Sequence, residues 1–212
     1  MNRYRYLDIS YDLKLKQMKS STLTPEESLL LITKTIEETK ERFTENGHIF
    51  VFWGTLILIV FGSQLILSLL ELYKYTMAPV YLFPLGGIYT GFYVWKEYKK
   101  NNAPRTLLGN VLGSMGWVVG MNLMLMGFLF SDKLGDAIGP VFIILLAMMI
   151  VVSGSAIKFK PLTICGILMN LIGLASFLID RDYHGFSLMS GAVVGFIIPG
   201  ILLNSSRRKK NV

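Results

Sequence analysis

Charge is missing from most of this chain. Residues 49–70, 75–95, 106–130, 137–157, 161–179 and 185–204 contain no Asp, Glu, Lys, Arg or His, and each run is 19 to 25 residues long. A helix rises ~1.5 Å per residue, so ~20 apolar residues cross the ~30 Å hydrocarbon core of a bilayer. Cysteine is also scarce: Cys165 stands alone, inside the fifth run, which excludes a disulfide within the chain and leaves a small packing residue. No secretory signal is expected either. The first ~45 residues are polar and charged, and the first apolar run is too long and too deep to be a signal core.

These absences remove several chemistries. Coupled pumps and carriers usually hold an ionisable side chain at membrane depth, and the six runs hold none. A serine protease of the membrane needs a base beside its nucleophile, an aspartyl one needs two buried carboxylates, and a zinc one needs a motif such as His-Glu-x-x-His. The runs offer none of the three, so the expectation is a protein that is not an enzyme and has no cofactor.

What is present is an uneven distribution of basic residues. Eight Lys/Arg precede the first run, four lie in 96–105, two in 158–160 and four after Asn204. The intervening loops hold only Lys74, Lys133 and Arg181, so eighteen basic residues fall on one side and three on the other. By the positive-inside rule six helices span the membrane with both termini cytoplasmic. The net charge of +7 is then a matter of topology, and nucleic acid is not expected as a partner. The basic tail Arg207, Arg208, Lys209 and Lys210 reads as an anchor against anionic headgroups.

Residues 1–23 are basic, contain Tyr4, Tyr6 and Tyr11, and lack periodicity. Met18 is the expected translation start, a reading that an N-terminal peptide beginning at Met1 would overturn. A helix then follows. Thr24 caps it, Pro25 suits the first position and Glu27 completes a capping-box pattern. Leu29, Ile32, Ile36, Thr39 and Phe43 recur at helical spacing and form an apolar seam broken by Thr39. Lys34, Glu38 and Arg42 are spaced for ion pairs, and Asn46-Gly47 predicts a left-handed glycine cap at the helix end. Six acidic and three basic residues between Glu26 and Glu45 fit poorly on an anionic lipid surface. The seam therefore suits the chain's own spans, a second copy, or a protein partner.

Within the spans, Gly109, Gly113, Gly116, Gly120 and Gly127 share one face of the third, and Gly87/Gly91 and Gly191/Gly195 form small-xxx-small pairs. Such faces let helices approach closely, within one bundle or between copies. Pro79 and Pro84 in the second run and Pro199 in the sixth can kink their helices. Gln64, Asn122 and Asn170, with Asn110 nearer the cytoplasmic side, are candidate intramembrane polar contacts, either glue between helices or the lining of a polar path. On the outer rim, Asp180, Arg181, Asp182, Tyr183 and His184, with Asp132 and Asp136, contain metal-ligand residue types. A solvated turn has the same composition, and no metal is expected there.

Pro104-Arg105-Thr106-Leu107-Leu108-Gly109 and Pro161-Leu162-Thr163-Ile164-Cys165-Gly166 share Pro-x-Thr-x-x-Gly, with Gly116 and Gly173 seven residues on. This is a weak sign of repeated hairpins in one orientation, or of shared helix-start chemistry. Further landmarks are Leu23-Thr24-Pro25-Glu26-Glu27-Ser28-Leu29, Asn46-Gly47, Trp53-Gly54, Ser153-Gly154, Lys158-Phe159-Lys160-Pro161-Leu162 and Ile198-Pro199-Gly200-Ile201-Leu202-Leu203. In this order they resemble a family of small integral membrane proteins of Bacteroidetes-type bacteria. The resemblance covers most of the chain from Met18 onward. It implies six spans with a cytoplasmic leader helix, implies that residues 1–17 are atypical, and supplies no activity, substrate or catalytic residue.

The expectation is therefore an all-α polytopic bundle of the bacterial inner membrane. It comprises a basic leader (1–23), a cytoplasmic amphipathic helix (24–47), a six-helix transmembrane domain (48–205) and a basic tail (206–212). Its leading function is a non-enzymatic scaffold or regulatory subunit, with Leu29, Ile32, Ile36 and Phe43 as the partner seam. The alternative is a passive small-solute transporter or lipid-binding bundle built on Gln64, Asn122 and Asn170. The bilayer, a membrane or cytoplasmic protein, and a second copy of the chain are the partners in view.

Overall fold

A computed structural model describes residues 24–45, 47–101 and 107–210. The leader with Met18, Asn46, the Pro104–Thr106 half of the repeat, and the side chains of Glu27, Glu38, Arg42, Phe43 and the basic tail lie outside the described residues. The described chain is all helical, without a strand. The α-helices are α1 (Pro25–Glu45), α2 (Gly47–Leu69), α3 (Leu82–Asn101), α4 (Leu107–Leu129), α5 (Ile138–Ala156), α6 (Lys160–Ala175), α7 (His184–Ala192) and α8 (Ile198–Lys210). A π turn over Val193–Ile197 joins the last two into one rod. Five helices are long and apolar enough to cross a membrane: α2, α4, α5 with its preceding turn, α6 with its last turn, and the α7–α8 rod.

The centre is the α5–α6 hairpin packed against the α7–α8 rod, with α2 packed on that rod. Ile143, Ala147 and Ile150 of α5 recur on one buried face and meet Leu162 and Met169 of α6 and Leu188, Ala192 and Phe196 of the rod. Lipid tails are as apolar as leucine, so burial alone does not hold such helices together, and close backbone approach must contribute. Three glycines supply it within the hairpin. A Cβ on Gly154 would stand 2.6 Å from the Thr163 nitrogen, one on Gly166 2.9 Å from the Val151 nitrogen, and one on Gly173 2.8 Å from Ile144. On the other side of the core, α2 approaches the rod in the same way. Gly54 meets Phe196 and Ile197, and Gly47 and Gly200 meet each other's helices.

Gly47 does not form the left-handed cap that Asn46-Gly47 suggested. It is the first residue of α2, and a Cβ there would lie 2.6 Å from Asn204 Oδ1 and 3.1 Å from the Gly200 carbonyl. Close packing, not backbone conformation, requires glycine at this position. The left-handed conformation occurs instead at Glu71 and Lys158, with φ of 59° and 54°. Each follows a helix end in a Schellman pattern. Leu72 N–H donates to the Leu67 carbonyl and Glu71 N–H to Ser68, while Phe159 N–H donates to Gly154 and Lys158 N–H to Ser155. A side chain in this region costs about 1–2 kcal/mol, a cost glycine avoids.

The second apolar run begins differently from the others. Residues 73–75 and 78–81 are 3₁₀ turns, and α3 starts only at Leu82. Pro79 falls in the second of these turns and Pro84 is the third residue of α3, so neither lies within the interior of an α-helix. Pro199 is the second residue of α8. It cannot donate a hydrogen bond to the turn before it, and that turn is the π segment Val193–Ile197.

Helices α3 and α4 flank the core. The Trp53 indole donates to Thr90 Oγ1 (3.1 Å), which donates to the Gly86 carbonyl (2.9 Å), and this ties α3 to α2. Helix α4 leans on α5. Only 6% of its apolar window is buried, against 44% in the last rod.

Candidate functional site

Three places carry the residues that the sequence singled out. The first is α1. The helix packs on α8, α4 and α2, so it is seated on the chain's own body. Its first turns are not covered. Leu29 is 69% exposed and Ile32 60%, and Leu30 and Leu31 between them are also exposed. Of the seam residues described, Leu29 and Ile32 are open and Ile36 is half-buried. Four consecutive apolar residues point around the whole circumference of a helix, so the open part is a collar, not a stripe. The Thr33 and Thr35 hydroxyls donate to the Leu29 and Leu31 carbonyls of the same helix (2.9 and 2.8 Å), and the exposed Lys34 borders the collar.

The second place is the set of amides. Gln64 on α2 and Asn170 on α6 are half-buried. The Asn170 Oδ1 is buried and has no hydrogen-bond partner. Asn122 lies on the outside of α4, and its Nδ2 donates to the Val118 carbonyl of its own helix at 2.8 Å. The three side chains therefore do not converge on one interior path. The glycine face of the third run is also mostly open. Nothing approaches a Cβ built on Gly113 or Gly120 within 4 Å, and the same holds for Gly87 and Gly91 on α3. Gly127 meets only Phe142 at 3.5 Å.

The third place is the rim where Asp136, Asp180 and His184 come together around a cavity of about 370 Å³. His184 opens α7, is buried, and has Nε2 3.2 Å from the Ile179 carbonyl. Its ring packs on Gly139, where a Cβ would stand 3.3 Å from the His184 Cβ. The imidazole fastens α7 to the start of α5, a role that a reading of the loop as solvated turn did not foresee. Among the described residues, no three His, Cys, Asp or Glu side chains are grouped so as to hold a metal ion.

Sequence reasoning passed over a fourth place, the α5–α6 turn, where a cavity of about 480 Å³ opens beside Lys158 and Lys160. The signal was available: Ile157-Lys158-Phe159-Lys160-Pro161 ends one helix and starts the next without the glycine that such a turn favours.

These features define a helical membrane protein of several spans. No protein-family model, curated protein or solved structure matches the chain.

Proposed function

We propose that this is a six-span protein of the bacterial inner membrane, with both termini cytoplasmic, that acts as a non-enzymatic scaffold or regulatory subunit. The observation that carries the reading is the collar on α1. A helix that packs on the bundle offers Leu29, Leu30, Leu31 and Ile32 uncovered at its start. Contiguous exposed apolar surface on a helix outside the spans suits a protein partner, whose own apolar groove would take this end. The acidic balance of α1 favours a protein over an anionic lipid surface. The lack of ionisable groups in the apolar runs supports a role without chemistry or ion coupling.

The sixth span is α3 together with the turn before it. Its apolar α-helical part, Leu82 to Trp95, is ~21 Å long at ~1.5 Å per residue. The 3₁₀ turn Ala78–Tyr81 adds ~8 Å at ~2.0 Å per residue, and its flanking residues Met77 and Leu82 both keep right-handed helical dihedrals. The sum approaches the ~30 Å of the hydrocarbon core. Charge supports the same count. With five spans the basic residues would divide ten against eleven, and with six they divide eighteen against three.

The test is co-purification in mild detergent from the native host. Leu29→Asp/Ile32→Asp should keep the elution volume and helicity of the parent and lose a stoichiometric protein partner by at least about tenfold, since both side chains are open in the chain alone. Unchanged co-purifying proteins would end the scaffold reading. The second reading, a passive solute pathway or lipid-binding bundle, retains one supporting observation, the unpaired Asn170 carbonyl. The outward position of Asn122 argues against it.

A further inference from the structure

The cavity at the α5–α6 turn has a marked division of character. Phe159, Ile164 and the start of α6 give it almost wholly apolar walls, and Lys158 and Lys160, both exposed, are also among its lining residues. Ser155 and Thr163 are the hydroxyls on its lining, and no carboxylate lines it. Only 157–159 separate the two helices, and both are apolar enough to span, so the turn sits where the spans end. Two ammonium groups are too costly to hold in hydrocarbon, which places this turn at headgroup depth with the apolar walls below it. A glycerophospholipid has the same order along the membrane normal: phosphodiester above, glycerol and acyl chains below. Free phosphate would gain the two lysines but would find little on the walls to replace its water.

Lys158 occupies the left-handed position of a Schellman cap, with φ of 54°, where glycine would be preferred. A lysine here is unfavourable for the backbone, as the glutamate is at Glu71.

We propose that the α5–α6 turn is a binding site for one anionic phospholipid, its phosphodiester between Lys158 and Lys160 and its glycerol and first acyl carbons against Phe159 and Ile164. Basic pockets between spanning helices at the cytoplasmic face are suited to such headgroups. The site requires that α5 and α6 cross the membrane and does not depend on the partner reading of α1. The leaflet it faces follows from the six-span topology.

The experiment uses the full chain in neutral detergent and titrates dioleoylphosphatidylglycerol or dioleoylphosphatidylcholine, reading melting temperature and, by native mass spectrometry, lipids retained. The parent should be stabilised by the glycerol lipid and retain one copy in preference to the choline lipid. Lys158→Gly and Lys160→Gln should each weaken that preference about fivefold, the factor corresponding to the loss of one basic residue near an anionic surface. Lys158→Gly should do so while melting no lower than the parent without lipid, because glycine relieves the backbone. Lys158→Asn, also tolerant of the left-handed region, repeats the test if the glycine variant folds poorly. Lys96→Gln/Lys99→Gln, which removes two exposed lysines outside this cavity, should leave the preference intact. The proposal is overturned if the Lys158/Lys160 double variant keeps the preference, if the Lys96/Lys99 control loses as much, or if inorganic phosphate reproduces the stabilisation.

Discussion

Glycine means two different things in this chain, and spacing alone does not separate them. Gly166 lies against the backbone of α5, with a Cβ position 2.9 Å from the Val151 nitrogen and 2.8 Å from its Cγ2. A backbone atom cannot swing aside as a side-chain end can, so Gly166→Ala must push α5 and α6 apart. The expected cost is about 1–3 kcal/mol, read as a lower melting temperature in detergent. Gly113 stands in open space, with nothing within 4 Å of its Cβ position. Gly113→Ala should be neutral or gain up to about 1 kcal/mol from helix propensity. Equal losses at both positions would contradict the packing described here. The five glycines of α4 were legible as one face, and the face is there. Whether a neighbour reaches it is a matter of tertiary arrangement, which periodicity does not encode. The Gly47 expectation failed for the related reason that Asn-Gly is a local signal and the crowding by Asn204 and Gly200 comes from the far end of the chain.

Five of the six uncharged runs form helices long enough to span, because length and apolarity set that outcome directly. The run 75–95 departs from the others through Pro79 and Pro84, which lack the N–H groups that a helix interior needs and so delay the α-helix to Leu82. Its crossing therefore depends on whether a 3₁₀ turn completes the span. Cysteine labelling answers this. In a Cys165→Ala background, Lys74→Cys and Asn102→Cys should differ in intact cells: the first reacts with a membrane-impermeant maleimide added outside, and the second reacts only after lysis. Labelling of both from outside would make α3 a helix that does not cross, and the topology would have to be redrawn. Pro199 was legible as a candidate kink, but the π turn before it was not, since its form depends on how the rod meets Met169 and Ile150 across Gly195.

The distribution of positive charge is the property that belongs to no single helix, and the proposed orientation rests on it. The candidate sites were less legible than the long apolar helices because each depends on which surfaces the bundle leaves uncovered. The α1 seam was readable as apolar, but the exposure of its first residues was not, and the lysine pair at the α5–α6 turn gained meaning only beside a cavity. The proposed orientation, by contrast, rests on four basic segments and should survive the loss of any one. Replacing Arg207, Arg208, Lys209 and Lys210 by glutamine leaves fourteen basic residues against three. Eight of the fourteen precede the first span, and the first span usually sets the orientation. The same two cysteine reporters should therefore give an unchanged pattern in the tail variant, with Lys74→Cys outside and Asn102→Cys inside. An inverted or mixed pattern would mean that the last four basic residues outweigh the first eight. The bundle would then be oriented from its C-terminus, against the sum on which the six-span proposal rests.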